Sequence, residues 1–402
     1  MLTLFQNARV YAPEALGVVD ILVGGREILA IGVLGPPPTG LGVTVHDLEG
    51  RRVIPGLVDV HSHLSGGGGE GGAHTRVPAL GPSSLLAAGV TTVVGLLGTD
   101  TDTRSIAELL ATSRGLDPYG ITSFCYTGGY VVPPLTLTGS VRGDLVHVDR
   151  IIAVGETAIS DHRSSQPSYD ELIRLAADAH VSGMMTGKAG LLHLHLGDGR
   201  RGLEMVRRAL DETELPSRVF HPTHVNRNRN LWAEAVELGR ARQHDPAGLI
   251  VDVTAFPPEP RVPSAHDDIL AWLEAGLSLE RLTLSSDGGG CLPVFDSAGA
   301  LLSMEVGASR SLLDTVRALV RVGLDWSHAL LPCTRTAARH FRLRGKGELR
   351  VGADADLLVL DAAGEVETVM TGGGLRIWRG EVLKPGLFEG VAGRVPAAGP
   401  MS

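Results

Sequence analysis

The sequence predicts an α/β fold: a (β/α)8 TIM-type barrel with a small β-sandwich domain formed by both chain ends. Three observations carry this. Eight apolar runs with β character alternate with helix-like segments through the middle of the chain. Short strands and turns occupy both ends. Polar residues able to hold metal or protons fall where the apolar runs stop, the C-terminal strand ends at which such barrels carry their chemistry.

The ends come first. Leu2 to Val10, Gly17 to Val23, Glu27 to Val33 and Val43 to Leu48 read as strands, as do Ala353 to Leu360, Glu365 to Thr371 and Leu375 to Trp378. The expected boundaries are 1–52 plus 345–390 for the small domain and 53–344 for the barrel. The barrel strands are expected at Val53 to Val60, Thr91 to Leu97, Ile121 to Tyr126, Ile151 to Ile159, Gly190 to Leu196, Arg218 to His221, Gly248 to Val253 and Leu282 to Ser285. Helical patterns between them include Tyr169 to Val181, Leu203 to Leu210, Leu231 to Arg242, Ile269 to Ala275 and Arg310 to Val322.

Length and composition agree. A chain of 402 residues suits a large barrel plus an appendage, and 43% hydrophobic with 20% charged residues is ordinary for a globular enzyme. A net charge of -9 argues against nucleic acid as the main partner, since phosphate binding needs a basic face. Cys125, Cys291 and Cys333 are too few and too scattered for a disulfide framework. Neither a signal peptide nor a membrane span is read from the apolar runs, so the expected location is the cytoplasm.

His61 and His63 stand two apart on a strand, so both imidazoles share a face and can clip a metal. The alternative is two histidines hydrogen-bonded in a polar barrel mouth. Further histidines and carboxylates at other strand ends favour metal. Strand five offers His193 and His195; His195, nearer the loop, is the better ligand, and His193 is expected deeper. Strand six offers His221 and His224, of which His224 is chosen for the same reason. Asp287 follows strand eight and could both ligate metal and take a proton from water, or simply cap a turn. Glu156 sits inside the apolar run IIAVGETAIS, where a lone carboxylate is costly unless it is paired or bound to metal. Arg163 and Arg227 offer forks for carboxylates. Glu70, in the loop SGGGGEGG, could take an ammonium group, and Tyr130 could donate to a developing oxyanion.

These stretches resemble the isoaspartyl (β-aspartyl) dipeptidases of the amidohydrolase superfamily. The matching segments are PGLVDVHSHLSGGGGEGG, GVTTVVGLLGTD, AISDHR, HLGD, PTHVNRN and LTLSSDG, with the general amidohydrolase tail GKGELRVGADADLLVL. They occur in order over nearly the whole chain. The resemblance implies a metal-dependent dipeptidase cleaving the β-aspartyl amide bond, with His61, His63, His195, His224 and Asp287 holding metal; Glu156, from its own place in the apolar run, is the sixth expected ligand. The resemblance implies two divalent ions, zinc being expected, bridged by Glu156 and a hydroxide. Asp287 and Tyr130 would be catalytic, and Glu70, Thr99, Arg163, Arg227 and Cys291 would face a small dipeptide. A homo-oligomer, such as an octamer, is implied as well. Two positions depart from the family: Glu156 stands where a carboxylated lysine usually bridges the metals, and Cys291 stands where a serine lies near substrate. They keep open a different amidohydrolase reaction, on a cyclic imide or amide or an N-acyl amino acid. A non-catalytic scaffold with this fold is a further alternative.

Overall fold

The structure, a computed structural model, describes residues 2–37, 40–246, 248–257, 263–295 and 301–389. The expected end of the small domain, residue 390, lies outside them.

Eight parallel strands form the barrel: β1 (Leu57–Ser62), β2 (Val90–Gly95), β3 (Thr122–Thr127), β4 (Ile151–Ile159), β5 (Leu192–Leu196), β6 (Phe220–Thr223), β7 (Val251–Thr254) and β8 (Leu282–Ser285). The ladder is continuous from β1 to β6, and β7 pairs with β8. A backbone hydrogen bond from Val225 to Asp252 joins β6 to β7, and a Ser62–Gly288 bridge joins β8 to β1. Each strand leads into a helix, including Pro82–Ala87, Ile106–Gly115 and Val141–His147 early in the chain. The longest, Tyr169–Thr186, starts from a capping box, in which Ser168 and Glu171 satisfy each other's backbone N–H, and stops at Gly187 with φ 71°. Such a cap contributes about 1 kcal/mol.

Both chain ends meet in one nine-stranded sheet. Leu2–Tyr11 lies at its centre, antiparallel to Ala15–Gly24 on one edge and parallel to Val43–Asp47 and then Arg52–Pro55 on the other. The sheet wraps around Phe5, Ile21, Ile28, Val53, Leu357 and Met370, all buried. The run read as one strand from Val53 to Val60 is two strands. Arg52–Pro55 belongs to the terminal sheet and Leu57–Ser62 to the barrel, with the turn at Gly56. There a Cβ would press on the Thr91 side chain at 2.1 Å.

Two register slips aim the interior side chains. In β1, Asp59 pairs with Val93 but Ser62 pairs with Gly95, so β1 carries one extra residue. In β4, Val154 pairs with Leu192 but Thr157 pairs with Leu194. Because strand side chains alternate faces, one extra residue reverses all that follow. Without the slips His61 would pair with Gly95, and Glu156 with Leu194, on the outward face. Gly155, φ 145°, makes the second slip possible: a Cβ there would stand 2.7 Å from the His193 carbonyl oxygen.

Candidate metal centre and substrate cleft

The strand ends converge on a narrow polar cleft of about 20 Å³. Its lining includes His63, Glu70, Thr99, Tyr130, Glu156, Arg163, His195, His224, Arg227, Asp287 and Cys291. His61 lies just beneath, fully buried. All the residues singled out from sequence are therefore brought together.

Glu156 stands at the centre. Its Oε1 is 2.6 Å from His195 Nδ1 and 3.0 Å from His224 Nε2. Its Oε2 faces the other way, 3.6 Å from His61 Nε2 and 3.9 Å from His63 Nε2. Asp287 Oδ1 is 3.1 Å from His63 Nε2 and 3.4 Å from His61 Nε2. Three overlapping sets have ligand atoms within 4.8 Å of one another: His61 with His224 and Asp287, His61 with His63 and Glu156, and Glu156 with His195 and His224. His61 Nε2, Glu156 Oε2 and Asp287 Oδ1 are buried and make no hydrogen bond among the described residues. Buried polar atoms are almost always satisfied. These orphans, two carboxylates on either side of the His61 imidazole, fit a divalent cation.

Electrostatics agree. Burial opposes the charged form of His61, yet the Glu156 and Asp287 carboxylates outweigh it and push its pKa up to about 9. Burial likewise opposes ionised Glu156 and Asp287, but the surrounding imidazoles hold both below the usual carboxylate range. His224 is lowered to about 3, mainly by burial. His224 and Asp287 also hold left-handed backbone, φ 61° and 51°, which non-glycine residues adopt rarely.

Around this centre lie the charged groups. Arg163 donates a fork to Asp161, at 2.8 and 3.1 Å, lies 3.5 Å from Glu70 Oε1, and sits over the Tyr130 ring at 5.4 Å. Thr99 donates to Glu70 at 2.9 Å. Arg227 lies over Phe256 and 3.7 Å from Asp198. The Tyr130 hydroxyl is 2.8 Å from His195 Nδ1, and burial, then the Glu156 charge, raises its pKa well above the ordinary value. Burial and then Glu70 push the Cys291 thiol up to about 12, so it stays protonated. Cys291 opens an antiparallel hairpin, Cys291–Phe295 with Leu301–Val306, that the glycine-rich sequence before it did not suggest. The SGGGGEGG loop is packed rather than open: Gly67 N donates to Gly289 O at 2.8 Å, and Arg104 donates to the carbonyls of Ser65, Gly67 and Val77.

Sequence reasoning missed Asp59, Asp161 and Asp252. Asp161 accepts from His195 Nε2 at 2.8 Å as well as from Arg163. Asp59 accepts from Ser62 and Ser286, and burial raises its pKa to about 6. Asp252 accepts from Thr223, Thr283 and Ser285. The signal for Asp59 and Asp252 was the one that singled out Glu156, a lone carboxylate in an apolar run.

Comparison with known proteins fits this geometry. The family model described as the amidohydrolase family matches residues 52–376. A β-aspartyl dipeptidase from Fervidobacterium islandicum, solved in complex with a β-Asp-Leu dipeptide, is 38% identical, with 96% of this chain and 98% of that one covered and a TM-score of 0.91. A dihydropyrimidinase from Brevibacillus agri shares the fold alone, at 15% identity over 96% of this chain and 97% of that one, TM-score 0.64. Among curated proteins, a dihydroorotase from Lactobacillus leichmannii is 40% identical over 16% of this chain, and one from Staphylococcus aureus 31% identical over 43%. The matches span only 14% and 39% of those relatives' own length. The chain belongs to the amidohydrolase family and, over nearly its whole length, is similar to β-aspartyl dipeptidases.

Proposed function

We propose that this protein is a metal-dependent hydrolase that cleaves the β-aspartyl amide bond of dipeptides. The observation that carries this reading is the division of Glu156, with one oxygen toward His61 and His63 and the other toward His195 and His224. A carboxylate so placed can bridge two ions, the role the family gives to a lysine. Two divalent ions, of which zinc suits this donor set, would supply an activated water and polarise the amide carbonyl.

The chain's own groups do the rest. Asp287 takes the proton from the attacking water at Oδ1 and returns it to the leaving amine, acting as base and then as acid. The Tyr130 hydroxyl donates to the amide oxygen as charge develops there. A β-aspartyl dipeptide carries two carboxylates and one ammonium. Arg163 and Arg227 match the first two and Glu70 the third, and the substrate would replace the Arg163–Glu70 contact with one partner for each. Thr99 and Cys291 flank Glu70. The reading includes a homo-oligomeric assembly, such as an octamer, which light scattering would measure.

A panel of β-aspartyl dipeptides, cyclic imides and N-acyl amino acids tests the reaction. Aspartate release from the dipeptides is expected. Turnover of only the other two classes would move the protein to a different amidohydrolase reaction. Metal analysis should find more than one equivalent per chain; less than one, with no turnover of any substrate, would favour a non-catalytic scaffold.

A further inference from the structure

Beneath the cleft a file of buried side chains runs from His61 into the barrel interior. His61 Nδ1 is 2.9 Å from His193 Nε2, and His193 Nδ1 is 2.8 Å from His221 Nδ1. His221 Nε2 is 3.0 Å from Thr283 Oγ1, which is 2.5 Å from Asp252 Oδ1. All five residues are fully buried.

The far end sets the direction of every proton. An ionised carboxylate only accepts, and Thr223 and Ser285 already donate to Asp252 Oδ2 at 2.7 and 2.6 Å. The Thr283 hydroxyl therefore donates to Oδ1, and its oxygen accepts from His221 Nε2–H. Buried, with no carboxylate in hydrogen-bond contact among the described residues, the His193 and His221 rings stay neutral. A neutral imidazole has one donor and one acceptor. His221 Nδ1 then accepts from His193 Nδ1–H, and His193 Nε2 accepts from His61 Nδ1–H. That commits His61 Nδ1–H to His193 and leaves Nε2, facing Glu156 and Asp287, as the nitrogen a cation would take by displacing its proton. Reversing the file would make Nδ1 the acceptor and leave the ring's last proton on Nε2, where it would exclude a cation.

We propose that Asp252, acting through Thr283, His221 and His193, is a positioning residue that fixes the proton order of this file and so commits His61 Nδ1–H to His193, leaving Nε2 as the nitrogen that takes a metal. The last clause rests on the metal-centre reading above; the proton order does not. A carboxylate behind a metal-binding histidine usually touches it directly, whereas here three side chains intervene.

Neutron diffraction of the unmodified, deuterated protein reads the order directly. Deuterons are expected on His61 Nδ1, His193 Nδ1 and His221 Nε2. A deuteron on His193 Nε2 or His221 Nδ1 would overturn the proposal. Thr283→Val keeps the shape and removes the hydroxyl. Its zinc affinity, measured by competition with a chelator, should fall about tenfold or more, and Thr283→Ser should restore it. Unchanged affinity in Thr283→Val, or an equal loss in Thr283→Ser, would count against the proposal. If Thr283→Val does not fold, the neutron result decides alone. Unmodified protein that binds no zinc, with the deuterons where expected, would overturn the metal-centre reading and leave the proton order standing.

Discussion

The cleft and the barrel interior below it are built from the same materials, buried histidines and carboxylates, but they differ in how those groups are satisfied. In the interior each nitrogen of His193 and His221 meets a partner, and both oxygens of Asp252 accept hydroxyls. In the cleft His61 Nε2, Glu156 Oε2 and Asp287 Oδ1 make no hydrogen bond among the described residues. An unmet buried polar group costs about 1–3 kcal/mol, so a fold keeps three together only where something else completes them. Residue type does not separate the cleft from the file beneath it; the gathering of three unmet groups around His61 does. Substitutions in the cleft should cost function and spare the fold, while those in the interior should also cost stability.

The largest expected effect is in the cleft. Asp287→Asn should lower kcat on a β-aspartyl dipeptide about a thousandfold, with bound metal and the melting temperature little changed. Near-normal turnover would remove Asp287 from its proposed role. Gly155→Ala crosses the boundary between the regions, because its Cβ would strike His193 while its backbone holds Glu156 inward. A loss of about 1–3 kcal/mol in urea unfolding is expected, together with a lower metal content. A variant that loses metal with full stability would show that the two regions are separable there. Arg163→Lys keeps the charge and loses the fork, so KM should rise roughly tenfold with kcat less affected; an unchanged KM would mean that Arg163 serves Asp161 rather than substrate.

The remaining test is in the interior and depends on pH. Burial, then Arg218 and Arg342, lower the pKa of His340 to about 3. An unfolded histidine protonates near 6.5. Between these values the unfolded chain binds more protons, so stability rises with pH through that window and falls as the solution is acidified below 6.5. This histidine alone should contribute a slope of about 1.4 kcal/mol per pH unit. Urea midpoints across that range should fall less steeply in His340→Gln; an identical slope would mean that His340 does not stay neutral.

Much of this was legible in sequence because barrel strands are short, apolar and buried, and so interrupt the helical periodicity with runs such as IIAVGETAIS. Polar residues at their ends stand out against that background. Cys291 was legible as a departure from the family, but the hairpin that it opens was not, since a short antiparallel pair leaves little pattern. Asp161 stood in the AISDHR segment without a role, and only its contact with His195 gives it one.

The sequence by itself determined the order of strands and helices, the gathering of both ends into β structure, and the residue types that meet at the strand ends, because these follow from local periodicity. Only the tertiary structure decided which way those residues face. One extra residue in β1 and another in β4 turn His61 and Glu156 inward, and a register slip is a relation between two strands that neither strand records alone. The interior file is of the same kind: its proton order follows from Asp252, far along the chain from His61, and a hydrogen bond has a direction only when both of its partners are known.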